Sequence, residues 1–128
     1  LDMGCGTGVL GIMAAKCGAT HIIAVDIDEQ SVRNAQENAE QNDVCMDIRQ
    51  GDTPPAGEYD LILANIHRNI LLSQLPDYAN YTAPHGEIWL SGFYETDVPI
   101  LVDAAAQLGL TPIATRQRGE WRMIQLRK

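Results

Sequence analysis

Along most of this chain, short runs of β-branched and apolar residues alternate with segments of helical periodicity, and near the end the alternation breaks. Such alternation is the mark of βαβ units, so it calls for a mostly parallel sheet flanked by helices. Leu1 to Met3 reads as the tail of a strand, followed by a glycine turn and a helix over about Val9 to Lys16, closed by Gly18. HIIAVDI (His21 to Ile27) reads as a buried strand. Asp28 then caps a helix over about Glu29 to Gln41, with Val32, Ala35 and Ala39 on its inner face. CMDIRQ (Cys45 to Gln50) and YDLILAN (Tyr59 to Asn65) read as the next strands, and ILLSQLPDYANYT as a helix bent or broken near Pro76. GEIWLSGF (Gly86 to Phe93) reads as a further strand. The helix after it starts at Thr96 or Asp97, with Leu101, Ala104, Ala105 and Leu108 on its apolar face and Gly109 at its close.

The break is equally informative. TPIATRQ and EWRMIQLR are strand-like and separated only by Arg118 and Gly119. A parallel pair needs a crossover of about a dozen residues or more, so these two strands must form an antiparallel hairpin. The expected architecture is an α/β, doubly wound, Rossmann-like, mostly parallel sheet with a C-terminal antiparallel hairpin. Only about three residues precede the glycine turn, which normally follows a complete central strand. Residues 1–128 are therefore expected to be a single domain with its first strand truncated, fragile alone because neighbouring strand edges are left unpaired.

The opening LDMGCGTGVLG holds two glycine patterns. GTGVLG is GxGxxG, the dinucleotide-binding fingerprint, whereas DMGCGTG is an acid followed by three alternating glycines. In either reading Gly4, Gly6 and Gly8 permit a tight turn that lets backbone N–H groups and a helix N-terminus approach a ligand. Asp26 ends the second strand 18 residues after Gly8 and can accept hydrogen bonds from two ribose hydroxyls, which suits NAD and S-adenosylmethionine equally. Asp2 separates them. A further carboxylate is unfavourable beside a pyrophosphate and favourable beside the ammonium and sulfonium of S-adenosylmethionine, although it can also simply bind loop amides. Asp52, in QGD after the third strand, can accept a hydrogen bond from an adenine amino group or merely open the turn before Pro54. Asn65, in LANIHRNIL, ends the fourth strand on the carboxyl edge where ligands bind, or caps the next helix. Asp2, Asp26, Asp52 and Asn65 fall at four successive strand ends.

Composition narrows the classes. An apolar fraction of 45% and a charged fraction of 20% are ordinary for a globular protein. The net charge of −8 disfavours direct nucleic-acid binding and suits a basic or amine-bearing substrate. Three scattered cysteines without CxxC spacing imply reduced thiols in the cytoplasm, and with three dispersed histidines no metal site is expected. No apolar run approaches the roughly 20 residues of a membrane span.

DMGCGTG, VDID, QGD, LAN and the terminal hairpin together resemble the class I S-adenosylmethionine-dependent methyltransferases over essentially the whole chain. GCGTGVLGIMAAKCGA, AVDIDEQSVRNAQENAEQN, ANIHRNIL, LSGF and GEWRMIQLRK resemble more narrowly the catalytic domain of the PrmA family, which methylates the eleventh protein of the large ribosomal subunit. That resemblance implies a separate upstream substrate-recognition domain, absent here. It implies that Gly4, Asp26 and Asn65 contact the cofactor, and that Asn65 and the Ile66 carbonyl orient the incoming amine of a ribosomal protein. ANIH lacks the NPPY of glutamine-amide methyltransferases. His67 stands at a variable place and reads as an early helix residue. Three other readings stay open at this point: a methyltransferase of RNA or a small molecule, an NAD-dependent oxidoreductase domain, and a fragment inactive by itself.

Overall fold

The computed structural model describes all 128 residues. They divide into two units, Leu1–Pro54 and Pro55–Lys128.

The first unit contains β1 (Asp2–Met3), α1 (Val9–Lys16), β2 (Ile23–Asp26), α2 (Glu29–Gln41) and β3 (Asp47–Gln50). Its strands run in the order β3-β2-β1, all parallel. The Asp28 carboxylate accepts the Ser31 amide at 2.8 Å and so caps α2 as expected. Val32, Ala35 and Ala39 are buried, and Ala35 packs with Cys5 and Ala24, against which Met46 and Ile48 lie. Of the four helices expected from the pattern, the three other than the one through Pro76 end alike. The residue after the cap has a positive φ (Gly18, Asp43 and Gly109), and two backbone amides fold back onto carbonyls of the last turn. β2 and β3 are shorter than their apolar runs. His21 and Ile22 precede β2, and Cys45 and Met46 precede β3. β3 is mostly exposed, and its Arg49 pairs with Asp47, which puts charge on the outer strand of this unit.

The second unit contains β4 (Tyr59–Asn65), α3 (Arg68–Tyr81), β5 (Thr82–Tyr94), a 3-10 turn (Glu95–Asp97), α4 (Val98–Gln107), β6 (Thr111–Arg118) and β7 (Trp121–Arg127). The order is β4-β5-β7-β6, with β4 and β5 parallel and β7 antiparallel to both its neighbours. β7 is thus the one reversed strand, and Gly119 turns the hairpin with φ 58°. Ile62, Ile88, Leu90 and Ile124 are fully buried on this sheet.

Three expectations need correcting. α3 is neither broken nor ended at Pro76. Pro76 is exposed, whereas Leu71, Leu75 and Tyr78 are fully buried on the helix's other face. Burying those side chains, at about 1.5–3 kcal/mol each, outweighs the roughly 3 kcal/mol cost of an interior proline. Leu108 does not join the apolar face of α4. It sits at the C-cap and is 39% exposed, because the turn at Gly109 brings Leu110 into the core in its place. β5 also starts four residues early, since the Thr82 hydroxyl donates to the Tyr78 carbonyl at 2.6 Å and passes the chain directly from α3 into the strand.

Candidate functional site

In the first unit the turn between β1 and α1 has Gly4, Gly6 and Gly8 at φ 70°, 53° and 79°. The left-handed backbone needs glycine at these places. Its amides are already committed. Gly4 and Cys5 donate to the Val25 carbonyl at 2.8 and 3.0 Å, Gly6 to Asp26 Oδ2 at 2.8 Å, and Gly8 to the Cys5 carbonyl at 2.8 Å. In α1 the Gly11 amide donates to Asp2 Oδ2 at 2.8 Å. A pyrophosphate cradle requires free N–H groups pointing at the ligand. Here the Gly4, Cys5, Gly6 and Gly8 amides point instead at the Val25 and Cys5 carbonyls and at the Asp26 carboxylate. A Cβ on Gly6 would meet nothing within 4 Å, so the turn leaves open space at its tip.

Asp26 is the organiser of that end. Its Oδ1 accepts the Asp28 amide at 3.0 Å while Oδ2 accepts Gly6, and each oxygen retains a lone pair. The register pairs Asp26 with Gln50 and Val25 with Met3, and the Gly51 amide donates to the Asp26 carbonyl at 2.9 Å. Gly4, Asp26 and the exposed Asp52 therefore gather at the carboxyl ends of three parallel strands. Asp2 takes a different place. It is 1% exposed, and its Oδ1 has no partner. Burial raises its pKa above the usual aspartate value, opposed by the Gly11 hydrogen bond. Burial, then the charges of Asp2 and Asp26, push the Cys5 thiol up to about 12, so it stays protonated.

In the second unit Asn65 ends β4 and is exposed, level with Ser91 of β5. It does not cap α3. The N-cap is His67, whose side chain makes no capping hydrogen bond. The Ile66 amide donates to the Ser91 carbonyl at 3.2 Å. A cavity of about 780 Å³ opens here, lined by Asn65, Ile66, His67, Arg116, Arg118 and Trp121 among others. Trp121 is 53% exposed and stacks on Tyr94, with ring centroids 4.9 Å apart. The basic rim runs against the overall acidity. The segment after Leu110 holds five of the nine Lys and Arg residues and one of the seventeen acids.

Three supports were not read from the sequence. Asn38 of α2 donates to the Thr7 carbonyl at 2.9 Å and ties down the glycine turn. Arg68, at the start of α3, pairs at 2.8 Å with the largely buried Asp97, which also accepts the Tyr94 amide. Gly92 packs directly against Asn65 and Ile66. The ANIHRNIL and LSGF segments contained two of these residues, but which side chain met which depended on strand pairing.

Comparison with known proteins gives a consistent picture. The family model described as ribosomal protein L11 methyltransferase (PrmA) matches residues 1–128. A ribosomal protein L11 methyltransferase of Porphyromonas gingivalis is 48% identical over 125 residues, covering 94% of this chain and 43% of the relative. One from Bacteroides thetaiotaomicron is 42% identical, covering 98% of this chain and 46% of the relative. The chain thus spans a little under half the length of these curated relatives. A crystal structure of a ribosomal protein L11 methylase from Lactobacillus delbrueckii subsp. bulgaricus superposes with a TM-score of 0.90 at 32% identity, covering 99% of this chain and 68% of that one. A methyltransferase from Pyrococcus furiosus, at 18% identity and a TM-score of 0.84, shares the fold. The fold is Rossmann-like and mostly parallel, with the antiparallel hairpin at its end.

Proposed function

The chain belongs to the ribosomal protein L11 methyltransferase (PrmA) family, and on that premise we propose that it is the S-adenosylmethionine-binding domain of a cytoplasmic protein N-methyltransferase acting on amino groups of a ribosomal protein. In this reading the domain works within a longer protein whose other part recognises the substrate. The observation that carries it is the glycine turn with the amides of Gly4, Cys5, Gly6 and Gly8 spent within the protein, the Asp26 carboxylate against it and the buried Asp2 carboxylate at the helix that follows. Such a turn is unfavourable for a dinucleotide's pyrophosphate and suits a cofactor bearing positive charge. The residues present fit that group. Gly6 leaves it space at the tip of the turn formed by Gly4, Gly6 and Gly8, the free lone pairs of Asp26 suit ribose hydroxyls, Asp52 suits the adenine amino group, and the buried carboxylate of Asp2 favours a cation. S-adenosylmethionine supplies, when bound, an activated methyl group.

The rest of the chemistry is positioning. An acceptor amine must be neutral to attack, which at pH 7 costs about 4.6 kcal/mol for a lysine and about 1.4 kcal/mol for an α-amine. Asn65 Oδ1 and the Ile66 carbonyl accept the amine's hydrogens and aim its lone pair without titrating. Desolvation and the neighbouring guanidinium groups of Arg116 and Arg118 favour the neutral form. Alignment of nitrogen and carbon at about 3–3.5 Å then supplies most of the rate.

Two measurements test this. Calorimetry should show S-adenosylhomocysteine binding and NADH not binding; tight binding of NADH alone would overturn the cofactor assignment. Mass spectrometry of ribosomal components after incubation of the full-length protein with labelled cofactor should show label on a large-subunit protein. Label on RNA instead would overturn the substrate assignment.

A further inference from the structure

The two oxygens that receive the amine's hydrogens in the reading above rest against one residue, Gly92. β5 slips register against β7 here, with Ser91 opposite Met123 and Phe93 opposite Arg122, so Gly92 bulges out of the ladder. Its φ is 91°, in the left-handed region. A Cβ at this position would stand 2.7 Å from Asn65 Oδ1 and 3.0 Å from both the nitrogen and the oxygen of Ile66. A side chain cannot occupy that space unless Asn65 or the Ile66 peptide moves. Ser91, one residue earlier, already holds the Ile66 amide through its carbonyl. The bulge therefore grips the Asn65–Ile66 segment from two sides, by a hydrogen bond at one residue and by close backbone approach at the next.

We propose that Gly92 is a positioning residue for methyl transfer, setting the place of Asn65 Oδ1 and the Ile66 carbonyl through the absence of its own side chain. This rests on the reading of those two oxygens as the amine's acceptors. Gly92 touches no reacting atom. It acts because a displacement of about 1 Å in an orienting group can cost on the order of a hundredfold in rate.

The test is a set of variants in the full-length protein, with kcat measured per folded molecule and affinity measured by calorimetry with S-adenosylhomocysteine. Gly92→Ala should lower kcat by about 30- to 100-fold while changing that affinity less than about threefold. Gly109→Ala is the matched control. Gly109 also has a positive φ, 76°, but a Cβ there would meet nothing within 4 Å. It should lose thermal stability to backbone strain and keep its kcat. If Gly92→Ala folds poorly, Gly92→Asn carries the same Cβ on a residue more tolerant of the left-handed region, and should show the same loss. In an Asn65→Ala background Oδ1 is gone, and the added loss from Gly92→Ala should shrink to a few-fold. Fully additive losses, or a Gly92→Ala kcat equal to that of Gly109→Ala, would overturn the proposal. An Asn65→Ala kcat equal to the parent's would instead overturn the underlying reading of Asn65, whatever Gly92 does.

Discussion

After β1 the chain turns through three glycines before it enters α1, whereas after β4 it turns through Asn65, Ile66 and His67 without one. Both are strand-to-helix junctions at the carboxyl end of a parallel strand. The first carries its left-handed residues within five positions; Gly8 donates back to the Cys5 carbonyl inside the turn, while Gly4, Cys5 and Gly6 lean on Val25 and Asp26 of β2. The second borrows its geometry, since the glycine that permits its close packing lies 27 positions later, in β5. A turn whose required glycines lie side by side in the chain can be recognised from a short motif. One shaped by a neighbouring strand cannot, because the motif is split across the sheet.

The sharpest way to break this comparison is to remove the acid on which the first junction leans. Asp26→Ala withdraws the Gly6 acceptor and, on the proposed function, the ribose partner together. At about 1.5–3 kcal/mol for a charged hydrogen bond, calorimetry should show S-adenosylhomocysteine affinity falling by about 10- to 100-fold. Unchanged affinity would show that the turn keeps its shape and its ligand without Asp26.

Gly8→Ala probes the local strain itself. With φ at 79° and a Cβ that would stand 3.1 Å from the Ala35 Cβ, it should destabilise the fold by about 2–3 kcal/mol in chemical denaturation. Gly6→Ala has the strain without the contact and should cost about 1 kcal/mol. Equal costs would mean that helix packing adds nothing to the glycine requirement.

Asp2→Asn gives a smaller, pH-dependent effect. Because burial raises the folded pKa above the unfolded value, the stability linked to this proton is full below about pH 3.9 and lost as pH rises through the raised value. At pH 7 the parent therefore bears the cost of a buried charge. The variant should melt a few degrees higher there, with the gain closing as pH falls toward 4. It should also weaken binding of S-adenosylmethionine more than that of S-adenosylhomocysteine, which keeps the ammonium but has lost the sulfonium charge. A parent that is the more stable at pH 7 would show that the Gly11 hydrogen bond outweighs burial.

The smallest effect should come from the second junction's own helix cap. His67 makes no capping bond, so His67→Gln should leave kcat within about threefold. A larger fall would show that the His67 side chain takes part in the reaction and that this junction does more than position Asn65 and Ile66.

What could be read from residues alone follows the same division. Period-two and period-3.6 patterns placed the strands and helices, and the two-residue gap at Arg118 and Gly119 required the hairpin. The Asp28 cap and the burial of Val32, Ala35 and Ala39 followed from local spacing. Of the two readings at Pro76, bent or broken, the break is excluded because local propensity is weaker than the burial of Leu71, Leu75 and Tyr78. Leu108 was misread because the Gly109 turn passes its core place to Leu110. At the site, Asp26 was visible as a strand-end acid, but its hold on Gly6 was not. Gly92 and the Arg68–Asp97 pair were out of reach, since each depends on contacts between segments 27 and 29 residues apart.

One feature of the cavity makes it observable in unlabelled protein. The chain has two tryptophans. Trp89 is tied through its indole N–H to Glu87 at 2.8 Å, whereas Trp121 presents one half-exposed ring to the cavity with Tyr94 stacked against it. Its emission reports the polarity on that side. Any peptide that displaces water from the cavity should shift the fluorescence of Trp121 to the blue, giving a continuous optical readout of its arrival there.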